Sequence, residues 1–263
     1  MAGNNEFQLV QARGWTGGLN NLMRVEFGRW FGTRLWLWQA LMWTLIVDGV
    51  LAGVLFSEPS PPVLDALMIY GIMGGMMPAI AVVIIMQDVL VGEKESGTAA
   101  WVLSKPASRT AFVLSKWAAA MVGVLVAIVV IPGIGAFILI NIAHPGSLEV
   151  GRFALGLGAI WINAAYYLTL TLMLGAFFSN RAGVIGIPLA LAFGQQMVFG
   201  VLPFLAYVLP WPIVAPVGNS TNTIFSALVL GETPASWLPL IVTFVCIPIF
   251  LGLGLWRFEK EEL

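Results

Sequence analysis

Apolar positions in this chain come in long runs separated by short polar joints, and the length of the runs decides the class of protein. Six windows, at about 35–56, 63–90, 117–142, 153–178, 182–208 and 237–256, are predominantly apolar. A helix rising 1.5 Å per residue needs about 20 such residues to cross the hydrocarbon core of a bilayer. The pattern therefore predicts an all-α polytopic membrane protein with six transmembrane helices. Gly74, Gly75 and Pro78 interrupt the second window, and Pro188 and Pro203 the fifth. Such breaks are tolerated where neighbouring helices restore the freed backbone partners. There is no internal repeat and no hydrophilic stretch long enough to divide the chain, so residues 1–263 read as a single transmembrane domain.

Two shorter patterns stand outside the windows. In 21–34 (NLMRVEFGRWFGTR), Leu22, Met23, Phe27, Trp30 and Phe31 fall on one half of a helix, with Arg24 and Arg29 on the other; Glu26 and Arg34 break the pattern. This predicts an N-terminal interfacial helix, its arginines among anionic headgroups. Residues 1–21 are polar without an early apolar core, so no cleavable signal peptide is expected. Between the fifth and sixth windows, 209–236 opens with Pro210, Pro212 and Pro216 and closes with Gly231 and Pro234. The apolar stretch 221–230 inside it is too short to span, which predicts a re-entrant outer helix before the last span, with Asn219 or Ser220 able to cap it.

Composition agrees with the runs. The chain is 59% hydrophobic and 10% charged, against about 25% charged in soluble domains. The placement of the basic residues orients it. With six spans, Arg13, Arg24, Arg29, Arg34, Lys94, Lys105, Arg109, Lys116, Arg181, Arg257 and Lys260 share one side and Arg152 alone lies opposite. The positive-inside rule then expects both termini in the cytoplasm of a cell-membrane protein.

Seven ionic side chains (Asp88, Glu93, Lys94, Glu95, Lys105, Arg109 and Lys116) sit in the stretch 88–116, between the second and third windows. Gly97 ends the extension of the second helix, Thr98 can start a new one, and Pro106 stops it, since a residue before proline is biased away from the α region. Ser108 can cap the helix that leads into the third span. The expected product is a short cytoplasmic helix held between two spans. It carries apolar Trp101, Val102 and Leu103 with charge on its flanks, the composition of a protein-docking knob.

The run EKESGTAAWVLSKPASR from Glu93 to Arg109, followed by Ser115-Lys116, resembles the permease subunits of type-two ATP-binding cassette (ABC) exporters. That family shows an acidic pair, Gly-Thr, a short apolar helix, Pro-x-Ser-Arg and a lysine opening the next span, placed between the second and third of six spans. With the interfacial helix and the outer insert, the resemblance covers the whole chain. It implies that 98–104 is a coupling helix seated on a separate ABC ATPase, present in two copies, with Glu93, Glu95, Gly97, Thr98, Trp101, Val102, Leu103, Lys105, Pro106 and Arg109 at or beside the contact. It also implies a second permease subunit, forming a homodimer or a related heterodimer with the pathway between the subunits. ATP and Mg²⁺ then belong to the partner ATPase, and no cofactor belongs to this chain. Ala99-Ala100 departs from the family, where bulkier or charged residues are more usual.

Absent motifs point the same way. The sequence has no G-x-x-x-x-G-K-[ST] phosphate loop, so an enzyme activity of its own is not expected. One cysteine (Cys246) and one histidine (His144) give no metal cluster and no nucleophile–base pair. An ion- or proton-coupled secondary transporter is the alternative, but it needs intramembrane carboxylates, and Asp48 is essentially alone. A permease-like subunit that transmits force without a small-molecule cargo is a further alternative. Asp48 falls about 12 Å below the outer end of the first span and Asn163 about 15 Å into the fourth, with Gln195 and Gln196 near the middle of the fifth. These four are candidates for a polar layer along a translocation pathway. Asp48 must there face water, accept hydrogen bonds from Asn163 or the glutamines, or carry a proton. The spans hold no basic cluster for a polyanion, so the expected cargo is hydrophobic: lipid-like, peptide or drug. The bilayer is the expected surrounding, and nucleic acid is not an expected partner.

Overall fold

The computed structural model describes residues 14–261 apart from 219 and 221. Arg13, one of the orienting residues, and Asn219, one of the two expected caps, lie outside that set. Among the described residues the chain forms helices and no strand. They are α1 (Leu19–Phe31), α2 (Leu35–Leu55), α3 (Val63–Glu95), α4 (Thr98–Leu103), α5 (Arg109–Val124), α6 (Ile131–Ala143), α7 (Val150–Phe177), α8 (Arg181–Val201), α9 (Trp211–Val214), α10 (Ile224–Leu230) and α11 (Leu238–Glu259). Six helical stretches, with α5 and α6 joined through a π segment counted as one, are long and apolar enough to cross a membrane. The protein is an all-α polytopic membrane protein.

Two departures from the apolar pattern are proline effects. The third span is α-helical only to Val124, then widens into a π-helix over Leu125–Val130 before α6. Pro132 has no N–H and its ring crowds the carbonyl four residues back, and a π turn relieves both problems. The helix of the fifth span, α8, stops at Val201, where the apolar window ran on to 208; Pro203 begins a separate 3₁₀ turn, Pro203–Tyr207.

The most buried span is α7, the central post of the bundle, with α3 and α11 on its flanks. The insert 209–236 drops into this bundle. Phe225 of α10 is fully buried, as is Val214 of α9. The backbone there must be bare. A Cβ on Gly75 would collide with the Val214 side chain, and one on Gly71 or Gly156 would stand 3.1 or 2.9 Å from the Phe225 ring. Gly71 lies about 12 Å and Gly75 about 18 Å along α3 from Val63, so the insert is re-entrant. Its cap differs from the expected one: Thr223 caps α10 in a box with Ser226, and Ser220 instead donates to the carbonyl of Asn222. Arg152, the lone basic residue at this end, closes the same helix by donating to the Leu230 carbonyl at 3.2 Å.

Candidate functional site

The short helix forms where glycine allows it. α3 ends at Glu95, Gly97 turns the chain with φ 71°, and Thr98–Leu103 follows as α4. Ser108 then caps α5, its hydroxyl accepting from the Ala111 amide at 3.0 Å. The same hydroxyl donates to the Trp15 carbonyl, and the Ser108 amide to that of Gly17, which fastens the segment before α1 to the turn after Pro106. Ala99 is 1% exposed and packs into the bundle. The small side chain lets α4 lie close against the spans, which gives the Ala99 departure a packing reason. On the outer face Trp101 is 62% exposed, with the Lys105 ammonium 3.5 Å from its ring centroid. Thr98, Ala100 and Pro106 are exposed, and Val102 and Leu103 half-buried.

Most of the flanking charges do not form a rim around this knob. Glu93 points inward: its carboxylate accepts from Lys116 Nζ at 2.6 Å and from Arg29 at 3.1 Å. The second carboxylate on Lys116 is Glu26 of α1, at 2.7 Å, and the Lys116 side chain is only 2% exposed. One buried ammonium thus holds α1, α3 and α5 together. Trp30 completes the seat of α1 by lying on Gly123, where any Cβ would collide with its ring. Arg109 also turns inward, donating at 2.8 Å to the carbonyl of Glu259, an orphan acceptor at the end of α11, and to the carbonyl of Glu261 just beyond it. Lys94 reaches Glu261 and the Phe178 carbonyl, both at 3.4 Å. Glu95 pairs at the surface with Arg181, which also holds Asp88. Of the residues expected to flank the contact, Glu93 and Arg109 make these contacts within the bundle. A lysine opening the third span was legible in the sequence, whereas its pairing with Glu26, 90 positions away, left no local signal.

A family model described as ABC-2 family transporter protein matches residues 10–263 of this chain. The chain belongs to the ABC-2 transporter family. No curated protein matched the chain. Membership places this ABC-2 chain in a membrane as a transporter subunit, with an ABC ATPase as the partner the family implies.

Within the ABC-2 chain the expected polar layer divides. Asn163 donates to the Gly75 carbonyl at 3.1 Å. Gln195 donates to the Tyr167 hydroxyl at 2.7 Å and accepts from the Trp211 amide at 3.1 Å, which pins the start of α9. These two meet around one small cavity bounded also by Tyr167, Trp211 and Val214. Gln196, one step of about 100° further round the helix, is exposed. Asp48 is elsewhere, 6% exposed in the contact between α2 and α6. Its carboxylate lies against Gly135, where a Cβ would collide with it, and neither oxygen has a hydrogen-bond partner among the described residues. Asn163 and Gln195 donate to the Gly75 carbonyl and the Tyr167 hydroxyl, and neither reaches the Asp48 carboxylate. Depth along a helix follows from residue count; rotation about its axis follows from packing.

Proposed function

We propose that this chain is the membrane permease subunit of an ABC exporter, driven by ATP hydrolysis on two copies of a separate ATPase. ATP and Mg²⁺ sit on that partner, and this chain has no nucleotide site of its own. Two permease subunits, identical or related, form the pathway. Both chain ends and α4 face the cytoplasm, in the cell membrane, a reading supported by the placement of the basic residues. The cargo is hydrophobic: a lipid-like molecule, a peptide or a drug.

The observation that carries the docking role is the exposed Trp101 on a six-residue helix braced from both sides. An indole at 62% exposure beside a cation, on a short helix held between two spans, is the kind of anchor that dominates protein interfaces. Dimer formation is supported by α8, where Gly186 has open space at its Cβ and Ala182 and Ala190 are exposed at spacings of four. In lipid, small residues at that spacing let helices approach. Gly28 is open too, whereas Gly183 faces Phe178 at 3.4 Å and Gly32 faces the Gly28 carbonyl.

Two measurements test this reading. Trp101→Ala should leave the protein in the membrane but weaken ATPase binding by about 2 kcal/mol, roughly thirtyfold. Glu95→Gln should change it little, because exposed pairs contribute about 0–1 kcal/mol. Full ATPase association by Trp101→Ala would remove the docking role from α4. A cysteine at Ser147, in a Cys246→Ala background, should react in intact cells with an impermeant thiol reagent, and one at Ser104 should not. The reverse pattern overturns the orientation.

A further inference from the structure

A cavity of about 230 Å³ opens between α1, α2, α3 and α5. Its walls change character along its length. Glu26, Arg29 and Lys116 form its charged end with Trp30 and Trp36 beside them, and Ile85, Met86 and Val89 of α3 line the rest, where Gln39 of α2 is the one further polar residue. Ile85 precedes Glu93 by eight positions, about 12 Å along α3. The polarity thus falls in the same direction, and over a similar distance, as it does from headgroups to acyl chains in one leaflet.

The charges at the polar end are not equally committed. The Lys116 ammonium is held by two carboxylates and lies 4.8 Å from the centre of the Phe112 ring, so its donors are spoken for. Arg29 uses Nη1 alone, on Glu26 and Glu93. Its side chain is 62% exposed, and Nε and Nη2 make no hydrogen bond among the described residues. A guanidinium offers two parallel N–H groups along such a free edge, a match for phosphate oxygens. The two tryptophans beside it are the residue type that sits at headgroup level.

We propose that this groove holds one membrane phospholipid from the leaflet at the α4 end, its phosphate on Arg29 and an acyl chain along Trp36 and Ile85. The lipid wedges α1 against the spans and extends the ionic seat of Lys116 to the bilayer. The site needs only membrane embedding, and it stands whatever the exported cargo and whether or not α4 docks an ATPase.

Native mass spectrometry of the full-length protein in mild detergent, titrated with dioleoyl phosphatidylglycerol or phosphatidylethanolamine, tests it. One phospholipid per chain should be retained, and Arg29→Gln should weaken retention about tenfold, as expected for a lost charge-assisted bond. Arg24→Gln, on the same helix but outside the groove, should retain the lipid as the unaltered protein does. Ile85→Trp should fill the apolar half and abolish retention. A photoreactive benzoylphenylalanine at Val89, a groove residue, should cross-link to phospholipid in native membranes, a readout that does not depend on the Ile85→Trp variant folding. Equal retention by Arg29→Gln and the unaltered protein overturns the site. So does retention of phosphate-free diacylglycerol as strong as that of phospholipid, or a Val89 cross-link to a second copy of the chain instead of lipid.

Discussion

Replacing Lys116 by methionine is expected to destabilise the protein by roughly 3–5 kcal/mol, the usual result of removing one partner from a buried ionic cluster. The lysine is 2% exposed and sits between carboxylates at 2.6 and 2.7 Å, on side chains themselves only 15% and 14% exposed. Without the ammonium, Glu26 and Glu93 face each other across a poorly hydrated gap with only Arg29 to oppose them. The repulsion acts between α1 and α3, so α1 should detach first. Methionine keeps most of the stem's volume, which confines the effect to charge rather than packing.

The triple variant Glu26→Gln, Glu93→Gln, Lys116→Met separates the two contributions. Taking all three charges out together removes the repulsion with the attraction, and such replacements are commonly close to neutral. The expected order of stability in thermal unfolding of the solubilised protein is unaltered chain, then triple variant, then the single lysine variant well below both. If Lys116→Met unfolds with the unaltered chain, the cluster is not what holds α1. Additive single effects would exclude a shared network, because residues in one network couple.

The same cluster marks the boundary of what a sequence discloses. Six spans were legible because lipid demands about 20 apolar residues in a row, a one-dimensional property. The short helix between spans two and three was legible because Gly97, Pro106 and Ser108 act on their own neighbourhood. Pairing was not. Glu93 and Arg109 read as a rim around Trp101 because they are close to it in sequence, yet their partners lie on α1, α5 and α11. Azimuth was equally hidden: Gln195 and Gln196 share a depth, and packing buries one and exposes the other. The end of α8 was misplaced because apolar composition continues past Val201 while helical hydrogen bonding does not. For Asp48 the intramembrane carboxylate was plain, but its burial against Gly135 depends on how α2 meets α6.

Phe225→Ala should cost about 3–5 kcal/mol, because the ring is fully buried and its loss leaves a cavity. Its centroid lies 5.6 Å from that of Tyr70 and 6.2 Å from that of Phe153, and its edges rest on Gly71 and Gly156. These helices are held by their own contacts on the far side, so the void remains. The loss should be local as well as global, since α10 is seven residues long and depends on that ring for its seat. A cysteine replacing Ala227, itself 0% exposed, should be inert to a thiol reagent in the Cys246→Ala protein and become reactive when Phe225→Ala is added. Gly156→Ala probes the contact from the other side. Alone it is destabilising, because the new Cβ meets Phe225 at 2.9 Å and Val229 at 2.7 Å. Combined with Phe225→Ala, one of those two collisions disappears, so the double variant should lose less than the two singles together. Additive losses, or an unreactive cysteine at 227 in the Phe225→Ala protein, would mean that α10 is held from elsewhere.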